Sequence, residues 1–397
     1  MSLAQHQTAS ATRNMLYWSW ILLPMVAWFA FYIDIIAPVL PAIGETFNLP
    51  PQTVLGSMTL YIFATGIAQW LMGRYAHILS LNTNIYLSYF ILLLGTGLII
   101  YITNWPTYLL GRLMQGVGGG FLYILSFKIV RDQINNTYLR QQLCGKMNAS
   151  IAASWVLIPP LGAWAYEYHQ CWRSPYIYLT IILCIHFITI FFMLKPNTNA
   201  IESEPSQVQS QTDFPYRLAS YLIICGTTQT CYNFLFLTYS PYIFIENLNV
   251  SVLNYSWIVS GLGCVHTVTC YAYPYIIQRL NDSIGLMIGQ SILLICGLLL
   301  LFSASHENVW GLIMIFTIGH IASSILITGS VSALVNHPHL KSDKLLGHYG
   351  SIKCITAAIV ASYALNLGHG LTTLAMVITS ISLICVVAHR ISRSDLI

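Results

Sequence analysis

Charge is what this sequence has least of. Asp, Glu, Lys and Arg together make up 7% of its 397 residues, against about 25% in a usual soluble domain. A soluble protein of this size could not cover itself with so few charges, which excludes the soluble classes. Metal-ligand and redox motifs are missing as well. The ten cysteines and twelve histidines are scattered, no CxxC occurs, and none cluster at metal-ligand spacing. No GxxxxGK[ST] phosphate loop is present, and there is no room for a nucleotide-binding domain. Any energy used must then come from an ion gradient or from the substrate's own gradient. No nucleophile–base pair or metal set stands out, so the chain reads as a non-enzyme without a cofactor.

What is present is apolar: 56% of residues are hydrophobic. A membrane-crossing helix needs about 20 mostly apolar residues. Twelve such stretches lie near 16–42, 53–75, 85–103, 106–130, 142–167, 174–194, 216–245, 253–279, 284–304, 309–335, 345–367 and 371–390. The expected fold is therefore all-α, an integral membrane protein with twelve transmembrane helices. The longest break, 195–215, is rich in Ser, Gln, Asn, Pro and acid, and reads as a mobile linker. It separates an N-terminal half, 1–194, from a C-terminal half, 216–397, with six spans in each. The first span follows a short polar tail without a small-residue cleavage site, and reads as retained.

Lysine and arginine set the expected orientation. Alternate loops on one side hold Arg13, Arg74, Arg131, Arg140, Lys146, Lys195, Arg217, Arg279, Lys341, Lys344, Arg390 and Arg393, twelve in all, against Arg173 alone on the other. This puts both termini and the linker in the cytoplasm. The net charge of +4 is thus a topology signal. The expected surroundings are a lipid bilayer, with no nucleic-acid partner.

Ionisable residues well inside spans are functional candidates. Asp34 interrupts FAFYIDIIAPVLP, residues 29–41. An ionised aspartate at mid-span costs about 2.5–3.5 kcal/mol on insertion scales. Its helical face, with Ala27, Ala30, Phe31, Ala37 and Pro38, suits a cavity wall better than lipid. Two readings are open: a fixed ion pair, or proton or substrate handling. Arg112 in span 4 lies at a compatible depth, so a pair with Asp34 is expected, the carboxylate being the member that titrates. Gln115 lies one turn from Arg112, and Tyr123 is deeper on the same face. Gly116 and Gly120 form a GxxxG that admits a close helix neighbour. Lys353 in span 11 either snorkels to the interface or is a cavity cation that attracts an anionic group; Lys128 is expected to snorkel. Span 7 offers Gln229, Tyr232, Asn233, Phe236, Tyr239 and Tyr242 at roughly helical spacing. They read as packing, or as the wall of a mainly apolar pocket with a few polar groups. Tyr61 and Trp155 are similar candidates.

Four short motifs carry a family resemblance. DIIAPVLPAI runs from Asp34 to Ile43 in span 1, RLMQGVGGG with VRD covers Arg112, Gln115, Gly116, Arg131 and Asp132, LIPPLGAW holds Pro160 and Gly162, and CWRSPY holds Trp172 and Arg173. In this order, on six plus six spans, the chain resembles the major facilitator superfamily, particularly its twelve-span drug:proton antiporters of the bicyclomycin-resistance (Bcr/CflA) multidrug type. The resemblance implies two six-helix bundles around a central cavity, with spans 1, 4, 7 and 10 lining it and His320 near the path. That placement agrees with the residues read above, for which proton coupling by Asp34 and Arg112 is expected, and substrate contacts from Phe31, Gln115, Tyr123, Gln229, Tyr232, Asn233, Phe236 and Lys353. The resemblance also implies gating by Gly73, Arg74, His77, Arg131, Asp132, Pro160 and Gly162. The loop between spans 2 and 3 departs from the family pattern: His77 stands where an acid belongs, and Ser80, Leu81 and Asn82 replace a Gly-Arg-Arg set. The charge pairing there is expected to be weakened, or rebuilt around Arg74 and His77.

The function that the resemblance implies is proton-coupled efflux of a small organic molecule, a drug or a secreted metabolite such as a siderophore, by a monomer in a bacterial inner membrane. A proton-coupled importer is the alternative, and a non-transporting membrane sensor a third reading that rests only on the altered loop.

Overall fold

The computed structural model describes residues 3–36, 39–101, 104–134, 136–194, 215–277, 282–304, 308–337, 340, 343–367 and 370–392. Pro38, most of the linker (195–214) and the loop charges Lys195, Arg279, Glu307, Lys341 and Arg393 lie outside them.

The protein is all-helical. The chain runs through α1 (Leu3–Asp34), α2 (Leu40–Phe47), α3 (Pro51–Tyr75), α4 (Leu81–Tyr101), α5 (Trp105–Gln133), α6 (Thr137–His169) and α7 (Ser174–Met193). It continues through α8 (Tyr216–Pro241), a π-turn (Tyr242–Asn247), α9 (Val252–Ile277), α10 (Asp282–Ser303), α11 (Val309–Asn336), α12 (Asp343–Leu367) and α13 (Leu371–Ser392). The expected first span is divided, because helix hydrogen bonding ends at Asp34 and resumes at Leu40. The other eleven expected spans each have one long helix. Among the described residues, eight helices are long and apolar enough to cross a membrane.

The helix starts follow from local chemistry. Asn104, Asn136 and Asn308 each accept a backbone N–H from the first turn of α5, α6 and α11 through the side-chain oxygen, which satisfies a donor that the helix leaves orphaned. Pro51, Pro106 and Pro175 stand in the first turns of α3, α5 and α7, where a missing N–H costs nothing. Asn48 and Gln170 end α2 and α6 in the left-handed region, with φ of 52° and 49°. Within the helices, Thr65, Ser88, Thr96 and Ser126 donate to the carbonyl four residues back. A hydroxyl in hydrocarbon has its partner this way.

α1 and α3–α7 pack on one another, and so do α8–α13. The halves meet along two seams, α3 against α12 and α6 against α9, with α11 also touching α6. Large apolar side chains such as Phe90, Phe192, Leu298 and Phe302 are exposed on the outside, the surface that lipid covers. α3 and α5 end, and α12 begins, at one end of the molecule, which carries Arg74, Lys128, Arg131 and Lys344; it is called the basic end below.

The seams depend on glycine. A Cβ on Gly73 would lie 2.6 Å from the Cα of Gly347, so α3 and α12 touch backbone to backbone near the basic end. A Cβ on Gly116 would lie 2.5 Å from the carbonyl oxygen of Tyr61, and one on Gly120 would lie 2.7 Å from that of Thr65. The neighbour admitted by the GxxxG is therefore α3.

Candidate functional site

Asp34 closes α1 and is buried. Its Oδ2 accepts a hydrogen bond from Ser154 Oγ on α6. The same hydroxyl lies 2.6 Å from the carbonyl oxygen of Ile151. A hydroxyl has one proton, so Ser154 has two acceptors to choose between. The next residue, Trp155, carries the contact across to the other half. Its ring meets His266 of α9 at 5.2 Å and His320 of α11 at 5.4 Å between centroids.

Arg112 is fully buried in α5, but it does not pair with Asp34. Its Nη1 donates to the carbonyl oxygen of Tyr32 and to Gln115 Oε1, both at 2.8 Å, and its guanidinium lies 4.6 Å from the centre of the Tyr61 ring. Gln115 in turn donates to Thr96 on α4 at 3.0 Å. The expected pair fails for a geometric reason. Tyr32 and Asp34 are two residues apart, about 200° round the helix, and Asp34 faces α6 while Arg112 ties α5 to α1, α3 and α4. Gln115 thus belongs to the arginine's network inside the first half.

Lys353 does not snorkel. It is buried on α12 and reaches into the other half, donating from Nζ to the Tyr123 hydroxyl at 2.6 Å. The same Nζ lies 4.2 Å from the centre of the Tyr123 ring and 5.1 Å from that of Tyr349. Tyr349 is fixed by Ser330 at 2.8 Å, and Tyr123 packs on Phe29 at 5.3 Å. No described carboxylate forms an ion pair with Lys353. Taking an ammonium out of water costs several kcal/mol. A desolvated cation–π contact returns about 2 kcal/mol and a charged hydrogen bond about 1.5–3 kcal/mol. The aromatic cage therefore offsets much of the cost without supplying a counterion.

Three of the α8 candidates, Tyr232, Asn233 and Phe236, face α11; the Tyr242 side chain lies outside what the structure describes. Asn233 Oδ1 accepts from Ser323 at 3.0 Å, and the Tyr232 hydroxyl donates to the carbonyl oxygen of Phe316 at 3.3 Å. Phe236 lies edge-on to His320 at 4.8 Å and to Phe316 at 5.0 Å. Gln229 accepts from Thr230 within its own helix, and Phe31 packs edge-on to Trp28 at 5.2 Å. His320 is boxed by Trp155, Tyr232, Phe236 and His266, and both its ring nitrogens lack a hydrogen-bond partner.

At the basic end the expected Arg74–His77 arrangement is replaced by another. Arg74 and His77 are exposed. Among the described residues, Lys128 and Arg131 of α5 join the halves through Asp343, the first residue of α12. Lys128 Nζ lies 2.6 Å from Asp343 Oδ2 and 3.1 Å from Asp132 Oδ2, so it pairs where snorkelling was expected. Arg131 bonds the other Asp343 oxygen and also Asp132 at 2.9 Å. The physical reason is placement: the last turn of α5 is basic, and α12 begins beside it with an acid. Asp343 also suits a helix N-terminus, whose dipole favours negative charge. Of the motif in α6, Gly162 is buried and Pro160 exposed; Arg173 stacks on Trp172 at 4.2 Å.

Ser154, His266, Tyr349 and Asp343 were absent from the candidates read in the sequence. Asp343 alone left a sequence signal, an acid at the start of an apolar span.

A family model described as Major Facilitator Superfamily matches residues 21–361. Multidrug resistance protein MdtL of Citrobacter koseri is 23% identical over 297 residues, covering 72% of this chain and 74% of that protein. MdtL of Klebsiella pneumoniae subsp. pneumoniae is 20% identical over 375 residues, covering 91% and 94%. The multidrug transporter MdfA of Yersinia pestis bv. Antiqua is 22% identical, over 57% of this chain and 56% of that one. Among solved structures, the human organic anion transporter MFSD10 (TETRAN) superposes with a TM-score of 0.75 at 14% identity, covering 96% of this chain and 99% of that one. At that identity the likeness speaks for the fold alone.

Proposed function

Because this chain belongs to the major facilitator superfamily of secondary transporters, we propose that it exports small organic molecules in exchange for protons. Substrate and proton would reach the space between the two bundles from alternate sides of a bacterial inner membrane, with the basic end and both termini in the cytoplasm. One observation carries the reading. Asp34, the one acid well inside an expected span rather than at its end, is buried with a hydroxyl for a partner and no arginine among the described residues. When ionised it accepts from Ser154. When protonated it can donate to the same oxygen, while the Ser154 proton turns to Ile151. Ser154 adjoins Trp155, which touches the second bundle, so the protonation state is felt at the seam. One charge moved through 100 mV supplies about 2.3 kcal/mol, enough to bias the exchange.

In this reading Asp34 carries the proton, and Arg112 fixes α1 against α5 so that the carboxyl is presented to α6. Phe31, Tyr123, Gln229, Tyr232, Asn233, Phe236 and Lys353 line the substrate path, and Gln115 supports it through Arg112. Gly73, Arg131, Asp132, Pro160 and Gly162 act in closure, with Asp343 as partner at the basic end and Arg74 and His77 beside it. The distant likeness to proteins named for multidrug resistance supports export of several apolar compounds.

The test uses proteoliposomes with an imposed pH gradient and an interior pH dye. A panel of neutral, cationic and anionic compounds is added to wild type and Asp34→Asn. Substrate-evoked proton movement that the variant abolishes is the expected result. Labelled substrate crossing with no proton movement in wild type would overturn the coupling. Uptake into inside-out vesicles separates export from import.

A further inference from the structure

The lysine at the seam has a chemistry that the proton cycle does not use. Lys353 extends from the second bundle into the first, where its ammonium meets the Tyr123 hydroxyl at 2.6 Å and the Tyr123 ring at 4.2 Å, while the Tyr349 ring of its own helix lies 5.1 Å away. Both buried spanning cations, Lys353 and Arg112, lack a carboxylate partner among the described residues. They differ in what else holds them. Arg112 is anchored by Tyr32 and Gln115 within its own bundle. Among the described residues, Lys353 makes its hydrogen bond across the seam, to a neutral phenol, with the Tyr349 ring of its own helix beside it.

We infer that Lys353 is the anion-recognition point of the substrate path, selecting compounds that carry a carboxylate on an aromatic or other flat apolar body. The carboxylate takes the place of the Tyr123 hydroxyl on the ammonium. The flat body lies against ring faces of the kind that Tyr123, Tyr349 and Phe29 present there. A charged acceptor makes a shorter and stronger bond to an ammonium than a phenol does, so the exchange favours the anion. It also breaks the one hydrogen bond through which Lys353 holds the two bundles together at this level. Substrate binding and release of the seam are then the same event. An uncharged analogue makes neither change.

This inference rests on the reading that the space between the bundles is the substrate path. It does not rest on proton coupling, so its test contains no gradient. Binding of a labelled naphthalene carboxylate and of its uncharged amide is measured at one pH on the full chain in nanodiscs, together with a small set of other aromatic and aliphatic carboxylates. The carboxylate is expected to bind about tenfold tighter than the amide, a difference typical of gaining one charge-assisted bond. Lys353→Met should remove that preference, and Lys353→Arg should keep it. Tyr123→Phe should tighten carboxylate binding, because it removes the competing hydroxyl and leaves the ring; a purely structural lysine–tyrosine bond predicts weaker binding instead. The inference is overturned if wild type shows no carboxylate preference with any probe, including the case where none binds. It is also overturned if Lys353→Met weakens acid and amide alike, or if Tyr123→Phe weakens carboxylate binding. Should Lys353→Met fail to fold, Lys353→Arg and Tyr123→Phe still decide. Carboxylate binding without proton movement would remove the exchange mechanism and keep this site, and the reverse result would do the opposite.

Discussion

Neutralising Asp343 should loosen the basic end. Its two oxygens meet Lys128 and Arg131 from the other half, and the three side chains are 25%, 21% and 10% exposed. Fully exposed pairs contribute about 0.2–1 kcal/mol, and breaking a fully buried one costs about 3–5 kcal/mol. At this partial burial, and with Asn still able to accept one hydrogen bond, Asp343→Asn should cost the closed arrangement about 1.4 kcal/mol. That is a tenfold rise in the population opened at this end. The assay is a spin-label distance between Ser80→Cys, after α3, and Lys344→Cys on α12. Both sites are exposed, and the background lacks the exposed Cys264 and the half-buried Cys171 and Cys184. The longer-distance population should grow in Asp343→Asn and in Arg131→Gln, and the double variant should show less than the sum because the two act on one interaction. Salt should weaken the effect, since these charges are only partly shielded from solvent. An unchanged distance distribution in both single variants, or strict additivity in the double, would refute the argument that this network holds the basic end shut.

Other substitutions report on separate parts of the structure. Gly73→Ala puts a methyl 2.6 Å from the Cα of Gly347, and backbone there cannot give way; the same spin labels should move apart, and transport should fall with little loss of expression. Arg112→Lys should fail to rescue Arg112→Met, because lysine has no planar guanidinium to lie flat on Tyr61 while a separate nitrogen reaches Tyr32 and Gln115; thermal melting in detergent should show both variants well below wild type. Ser154→Ala removes the hydroxyl partner of Asp34; the pH profile of substrate-evoked proton movement should shift while substrate binding stays within about twofold, the cost being one local hydrogen bond.

The expected fold was legible because its cause lies in composition and periodicity. Lipid requires each backbone polar group to be satisfied within its own helix, so apolar runs of sufficient length can be only one thing. The helices accordingly fall where those runs fall, from Pro51–Tyr75 to Leu371–Ser392. Within the first run, α1 stops at Asp34 and α2 starts at Leu40. Asp34, Arg112 and Lys353 were visible for the same reason: a charge in an apolar run needs an explanation. Their partners were not visible. Whether Asp34 met Arg112 or Ser154 depended on the rotation of α1 against α5 and α6, and sequence spacing within one helix does not set the angle between two. Lys353 could be read as a snorkelling end or as a cavity cation until the fold placed Tyr123, distant in sequence, against it. The basic-end network shows the same division. The sequence displayed a loop without its acid, but the replacement stood in another helix, and only the packing of α12 on α3, glycine against glycine, brought Asp343 to Arg131. Local chemistry determined where this chain is helical and which residues are out of place in lipid. The packing of one helix on another decided which of those residues meet, because that depends on side-chain contacts between segments remote in sequence.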